Sequence, residues 1–120
     1  MRSENFLWRS SIELEHRGQL LDLHNCYSFR SIHHDVLDRT VILKWHRLPD
    51  VCVDQKLPAY VELHMSEVTQ VTVGPRDPSQ PYSEDDCLAS FGYDSDEEWA
   101  HGQFWVDGKA DNEWRWSFLF

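Results

Sequence analysis

The clearest pattern in the sequence is a strict alternation of apolar and polar residues at its C-terminal end. Between Glu113 and Phe120, every second residue is large and apolar: Trp114, Trp116, Phe118 and then Phe120. Successive side chains of a β-strand point to opposite faces of the sheet, so this spacing is typical of a half-buried strand. The pattern predicts a closing strand whose aromatic side chains lock the chain end into a sheet.

The same alternation occurs repeatedly along the chain. The other predicted strands are 10–16, 26–33, 40–46, 60–65, 68–73, 87–93 and 103–107. Residues 35–39 contain two aspartates, which favour turns, so the strands on either side are predicted to form an antiparallel hairpin. Residues 20–23, with three leucines, fit either a short helical turn or an extended link.

Two stretches interrupt the strand pattern. Residues 47–59 contain two prolines, and residues 74–86 contain three prolines, a glycine and an acidic triplet, so both predict loops. The resulting prediction is a mainly β fold. We expect an antiparallel β-sandwich or strongly curved sheet of about six to eight strands, with at most one short helix.

Composition agrees with one folded domain covering residues 1–120. A chain of 120 residues with 41% hydrophobic residues can bury a sizeable core without disulfides or metals. Neither a membrane-length apolar run nor a leader pattern is visible, so we expect a cytoplasmic protein. Cys26, Cys52 and Cys87 are widely spaced, which favours reduced, mostly buried thiols.

Charge is the feature that most restricts the function. The net charge is −10, but residues 1–60 balance eight acidic against eight basic residues, whereas residues 61–120 hold thirteen acidic and three basic ones. Such a field disfavours nucleic acid and anionic membranes as partners and would attract a basic protein. Alternatively, acidic loops simply keep the protein soluble. The clusters are Glu84, Asp85, Asp86, Asp94, Asp96, Glu97 and Glu98.

The seven histidines show no metal-site spacing, and the chain contains no nucleophile motif and no nucleotide-binding glycine motif. A calcium loop starting at Asp94 would require Gly and Glu where Trp99 and Trp105 stand. We therefore predict no metal, no cofactor and no enzyme activity. If the protein were an enzyme after all, its residues would converge only in the fold, and the histidines to inspect would be His24, His33, His46 and His64.

Aromatic residues offer a different kind of site. Four tryptophans, at 99, 105, 114 and 116, lie within eighteen residues. They either fill the core or form an aromatic surface that binds a sugar or a protein. Trp99 directly follows the acidic run and is the best candidate for exposure.

The order of these features resembles small bacterial β-rich proteins, including immunity proteins of toxin systems. The similar segments are Leu23-His24 with Ile32, Thr40 to Leu43, Val61 to Leu63 with Val68, and Glu113 to Phe118. The resemblance spans residues 20–120 and rests on pattern alone. It implies a small, acidic, non-enzymatic protein that blocks a toxin by binding it.

These observations predict a non-enzymatic binding protein that engages a basic protein partner through its acidic C-terminal half. The predicted contact residues are Asp85, Asp86, Asp94, Asp96, Glu97, Glu98 and Trp99. A β-sandwich that binds a small ligand or carbohydrate through aromatic residues is the first alternative, and a small enzyme is the second. An exposed edge strand could also pair with its own copy to form a homodimer.

Overall fold

Ten β-strands and one turn of 3-10 helix, Tyr82–Glu84, form the regular structure in a computed structural model that describes residues 2–3, 5–69, 71, 78–84, 101–110 and 118–119. The strands are β1 (Arg2–Ser3), β2 (Leu7–Trp8), β3 (Glu13–His16), β4 (Gln19–Asp22), β5 (Tyr27–Asp35), β6 (Thr40–Arg47), β7 (Tyr60–Ser66), β8 (His101–Val106), β9 (Lys109–Ala110) and β10 (Phe118–Leu119). The predicted mainly β class is confirmed.

The strands form two sheets. The larger has the order β10-β1-β8-β7-β6-β5, with β9 also paired to β8, and the smaller has the order β2-β3-β4. Among the described pairs every one is antiparallel except that of β1 with β8. In the described part of the chain β5 pairs only with β6, so β5 is an edge strand of the larger sheet.

The predicted hairpin is present as β5 and β6. Asp35 pairs with Thr40, and its Oδ1 accepts a hydrogen bond of 2.9 Å from the backbone N–H of Asp38. This local bond is the aspartate turn chemistry that the sequence predicts. A register shift between Phe29 and Ser31 marks a bulge in the edge strand.

Residues 20–22 take the extended alternative, and Leu23 begins the turn that follows. Leu20 and Leu21 belong to β4, which joins β3 through the two-residue turn Arg17-Gly18. Both turn residues have positive φ, 51° and 76°, as a tight hairpin requires of its two central residues. The turn sets the register that places Leu21 opposite Leu14 in the core.

The prediction of a strand over residues 68–73 is wrong for the residues of that range that the structure describes. β7 ends at Ser66, and Glu67 has a φ of 59°, which turns the chain out of the extended conformation. Val68, Thr69 and Val71 lie outside any strand. Alternation alone therefore predicted a strand at positions that the structure places outside any strand.

Some predictions fall outside the described residues. These are the strand at 87–93 and most of the closing strand at 113–120, of which Phe118–Leu119 is described and pairs with β1. The loop prediction for 74–86 agrees with the exposed residues Pro78 to Ser83 and with the 3-10 turn.

One hydrophobic core is shared by both sheets, so the smaller sheet packs over one face of the larger. Its buried members are Phe6, Leu14, Leu21, Leu23, Tyr27, Trp45, Val61, Leu63 and Phe104. Stacked sheets lie about 10 Å apart and interlock their side chains in this way. Burial of these side chains is the main source of stability.

A buried asparagine joins the N-terminal segment to the larger sheet. Asn5 Nδ2 donates to the carbonyl oxygen of Phe104 at 2.8 Å, and Asn5 Oδ1 accepts from the Phe104 N–H at 2.7 Å. The Asn5 side chain thus bonds both backbone polar groups of Phe104 and acts as a strand partner of β8 at this residue. His16 Nδ1 donates to the Asn5 carbonyl at 3.1 Å.

The predicted loop after β6 is held by specific hydrogen bonds. Arg47 Nη1 donates to the carbonyl oxygens of Gln55, at 2.8 Å, and Leu57. Tyr27 donates its hydroxyl to the Pro58 carbonyl at 2.9 Å, and burial raises the pKa of this tyrosine. These bonds order a loop that has no regular secondary structure of its own.

The described cysteines are free thiols, which agrees with the predicted reduced state. Cys26 is half-buried, and its pKa is raised first by burial and second by the charge of Asp22. Cys52 is exposed, so the expectation of burial is wrong for it, because it lies in the loop and outside the core. Cys87 lies outside the described residues.

Candidate functional site

The seven residues predicted to contact a partner all lie outside the described part of the chain. They are Asp85, Asp86, Asp94, Asp96, Glu97, Glu98 and Trp99. The described residues on either side are Glu84, at the end of the 3-10 turn, and His101, at the start of β8. His101 pairs with Ser66, so the acidic run joins the sheet at the end where β7 finishes.

The polar and aromatic side chains of the candidate site lie on one surface of the larger sheet, which we call the outer face. It is the side of β6, β7 and β8 that points away from the core, because these strands alternate between core and surface residues. Its side chains are Ile42, Lys44, His46, Tyr60, Glu62, His64, Gln103 and Trp105. All are half-buried except Tyr60, which is exposed.

Glu62 lies at the centre of the outer face, where its carboxylate contacts Lys44 and His64. Its Oε1 is 3.2 Å from Lys44 Nζ on β6, and its Oε2 is 2.6 Å from His64 Nε2 on the same strand. Partial burial pushes the pKa of Glu62 upward, but the hydrogen bonds and charges of His64 and Lys44 outweigh it, so its pKa is lowered. The carboxylate is therefore ionised at neutral pH and accepts hydrogen bonds from both neighbours.

His64 is oriented by two independent contacts. Its ring stacks on Trp105 with centroids 3.9 Å apart and planes only 4° from parallel, while Nε2 donates to Glu62. Trp105 in turn donates its Nε1–H to Gln103 Oε1 at 2.7 Å. Because the carboxylate can only accept, Nε2 carries a hydrogen and Nδ1 remains the second polar position of the ring.

A shallow cleft of about 230 Å³ lies beside His64. It is lined by Thr40, Ile42, His64, Met65, Ser66 and Gln103. These residues come from the start of β6, the end of β7 and the start of β8, so the cleft occupies one end of the sheet. The lining combines the apolar side chain of Ile42 with hydroxyl, amide and imidazole groups, whereas the side chain of Met65 packs against the core.

The four histidines considered for an enzyme occupy separate positions. His64 binds Glu62, and His46 packs edge-on against Tyr60 at 4.7 Å between ring centroids. His33 is exposed on β5, and His24 lies in the turn between β4 and β5. Within the described residues, therefore, no group of histidines converges on one point.

Neither a metal-binding cluster nor a membrane-spanning helix is found among the described positions. No group of three or more His, Cys, Asp or Glu residues there is arranged to hold a metal ion. Over the same residues, no helix has both the length and the apolar character needed to cross a membrane.

Sequence reasoning identified His64 but missed its partners. Alternation along β7 puts Val61 and Leu63 in the core, and the same pattern places Glu62, His64 and Ser66 together on the opposite face. The sequence pattern therefore predicts that these three residues share one face of the strand. The contacts from neighbouring strands depend on the register of β6 and β8, which the sequence pattern does not provide.

Comparison of the chain with protein-family models, with curated protein sequences and with solved structures finds no match in any of the three.

Proposed function

We propose that this protein is a non-enzymatic binding protein that engages a basic protein partner through its acidic C-terminal half. The observation that carries the proposal is the charge asymmetry, with thirteen acidic and three basic residues in positions 61–120 against a balanced first half. Such a field accelerates the encounter with a partner of opposite charge and lets it discriminate between partners. A basic toxin is the kind of partner that the resemblance to immunity proteins suggests.

The described fold supports a surface interaction. The space between the two sheets is occupied by the shared core, whose members are almost completely buried. A partner would therefore bind on the outside of the domain. The acidic run 94–98 is joined to β8 by two residues only, Trp99 and Ala100, so a firmly paired strand anchors one end of it.

A salt-dependent pull-down with charge-neutralised variants tests the proposal. The test variant combines Asp94→Asn, Asp96→Asn, Glu97→Gln and Glu98→Gln. The matched control combines Glu13→Gln, Asp38→Asn, Asp50→Asn and Asp54→Asn. Both remove four negative charges, and the control amides keep the side-chain oxygens that accept turn hydrogen bonds from Cys52 and Lys56.

We expect the wild-type chain and the control to retain the same basic protein from a source-cell extract at ~50 mM salt and to release it at ~500 mM. The test variant should bind that purified protein at least about tenfold more weakly. The proposal fails if no basic protein is retained, if retention ignores salt, or if both variants weaken binding equally.

A further inference from the structure

The side chains around His64 are held in place by several contacts with one another on the outer face. Lys44 fixes Glu62, Glu62 fixes His64, and Trp105 supports the ring of His64 from one side while itself bonding Gln103. Cross-strand pairs of this kind stabilise a sheet by a modest amount. They also hold a recognition group in place before a ligand arrives, which lowers the entropy lost on binding.

The volume of the cleft restricts the size of its occupant. Pockets for drug-sized ligands measure about 300–1,000 Å³, and this cleft of about 230 Å³ is smaller. It therefore accommodates a single ring. The half-buried Ile42 supplies apolar surface against which the carbon–hydrogen groups of such a ring can pack.

The polar lining favours a neutral ligand that carries hydroxyl groups. Thr40 and Ser66 provide hydroxyls, Gln103 an amide and His64 the Nδ1 position of its ring, and each of these can exchange hydrogen bonds with an alcohol. The two full charges nearby, Lys44 and Glu62, are paired with each other at 3.2 Å. A charged ligand would find no unpaired counter-ion among the residues that line the cleft.

We propose that this cleft is a binding site for a neutral pyranose sugar, with the ring against Ile42 and its hydroxyls bonded to Thr40, Ser66 and His64. The site uses no residue of the acidic segment. The cleft lies at the end of the sheet where the acidic run joins β8, but the sugar titration and the pull-down report on different residues, so the two proposals can fail separately.

Nuclear magnetic resonance titration of the full chain with defined sugars tests the site. The probes are D-glucose, D-galactose and D-mannose up to ~50 mM, with D-glucuronate and D-glucosamine as charged counterparts; this range detects millimolar affinity. We expect at least one neutral sugar to shift the methyl signals of Ile42 and the side-chain amide of Gln103. The charged counterparts should produce smaller shifts at the same concentration.

Hydroxyl-removing variants separate binding from sheet stability. Thr40→Val and Ser66→Ala should each weaken the sugar about three- to tenfold, as expected for one lost hydrogen bond. Ser31→Ala removes a hydroxyl outside the cleft, from the exposed residue that pairs with Lys44, and should leave the affinity unchanged. The dispersion of the spectra checks that each variant folds.

Three results would overturn the proposal. The first is the absence of shifts at Ile42 and Gln103 with every neutral sugar. The second is equal binding of the charged counterparts. The third is equal affinity of folded Thr40→Val, Ser66→Ala and Ser31→Ala, which would mean that the cluster acts only in sheet stability.

Discussion

The two faces of the larger sheet use the same three strands for different purposes. On the inner face, Val61, Leu63 and Phe104 are almost completely buried and apolar. On the outer face, their direct neighbours Glu62 and Trp105 form hydrogen bonds and remain half-buried. The difference teaches that core packing and surface hydrogen bonding are separated by one residue along a strand, so neighbouring substitutions should have unlike effects.

Phe104 and Trp105 give the largest test of this comparison, because they are adjacent on β8 and face opposite ways. Phe104→Ala should lower the free energy of unfolding by about 3–5 kcal/mol, since it leaves a cavity among fully buried side chains. Trp105→Ala should cost about 1–2 kcal/mol, because its ring is already partly in solvent. Urea denaturation measures both. Equal losses would show that the outer face is as much a core as the inner one.

A second comparison is between a buried and an exposed polar side chain, Asn5 and Asn25. Asn5→Ala should cost about 2–3 kcal/mol, because the N–H and C=O of Phe104 would lose their partners while buried. Asn25→Ala, which removes an exposed bond of 2.8 Å to Asp22, should cost less than about 1 kcal/mol. Denaturation of both variants, measured alongside the wild type, makes the comparison. A cost for Asn5→Ala no larger than for Asn25→Ala would contradict the role of Asn5 as a substitute strand partner.

The smallest expected effect is that of the outer-face ion pair, and it depends on pH. The pKa of Glu62 is lower in the folded chain than its ordinary value of 4.5, so the unfolded chain binds more protons in acid. The stability from this group is therefore present above about pH 4.5 and is lost as the pH falls through the folded pKa. Glu62→Gln should cost a few tenths of a kcal/mol at pH 7 and remove this part of the acid dependence.

The control for this prediction is Glu67→Gln, which removes the same charge from an exposed residue just beyond β7. Stability should be measured by urea denaturation between pH 3 and pH 7, at low and at high salt. An unchanged acid profile in Glu62→Gln would show that the bonds to Lys44 and His64 contribute nothing to folding.

Much of the fold could be predicted because its strands and turns depend on residues that are close together in the sequence. Alternation located β6, β7 and β8, and turn chemistry at Asp35 located the hairpin between β5 and β6. The pattern failed beyond Glu67, where the chain turns and the described residues Val68, Thr69 and Val71 do not resume a strand. It was also ambiguous at Leu20 and Leu21, since a short apolar run fits more than one local structure.

The candidate site was less predictable than the fold. His64 was among the residues considered, but Lys44, Gln103 and Trp105 join it from strands that are distant in sequence. A shift of one residue in the pairing of β6 with β7 would put Lys44 on the core face. Only the actual register shows that a cation, a carboxylate, an imidazole and an indole meet on one surface.

The sequence by itself determined the mainly β class, the strongest strands, and the imbalance of charge between the two halves, because each depends on residues close together in the chain. The tertiary structure decided which faces point inward, that Asn5 acts as a strand partner of β8, and that His64 lies between Glu62 and Trp105. The physical reason is that side-chain periodicity is local, whereas cross-strand contacts depend on packing the two sheets around a shared core.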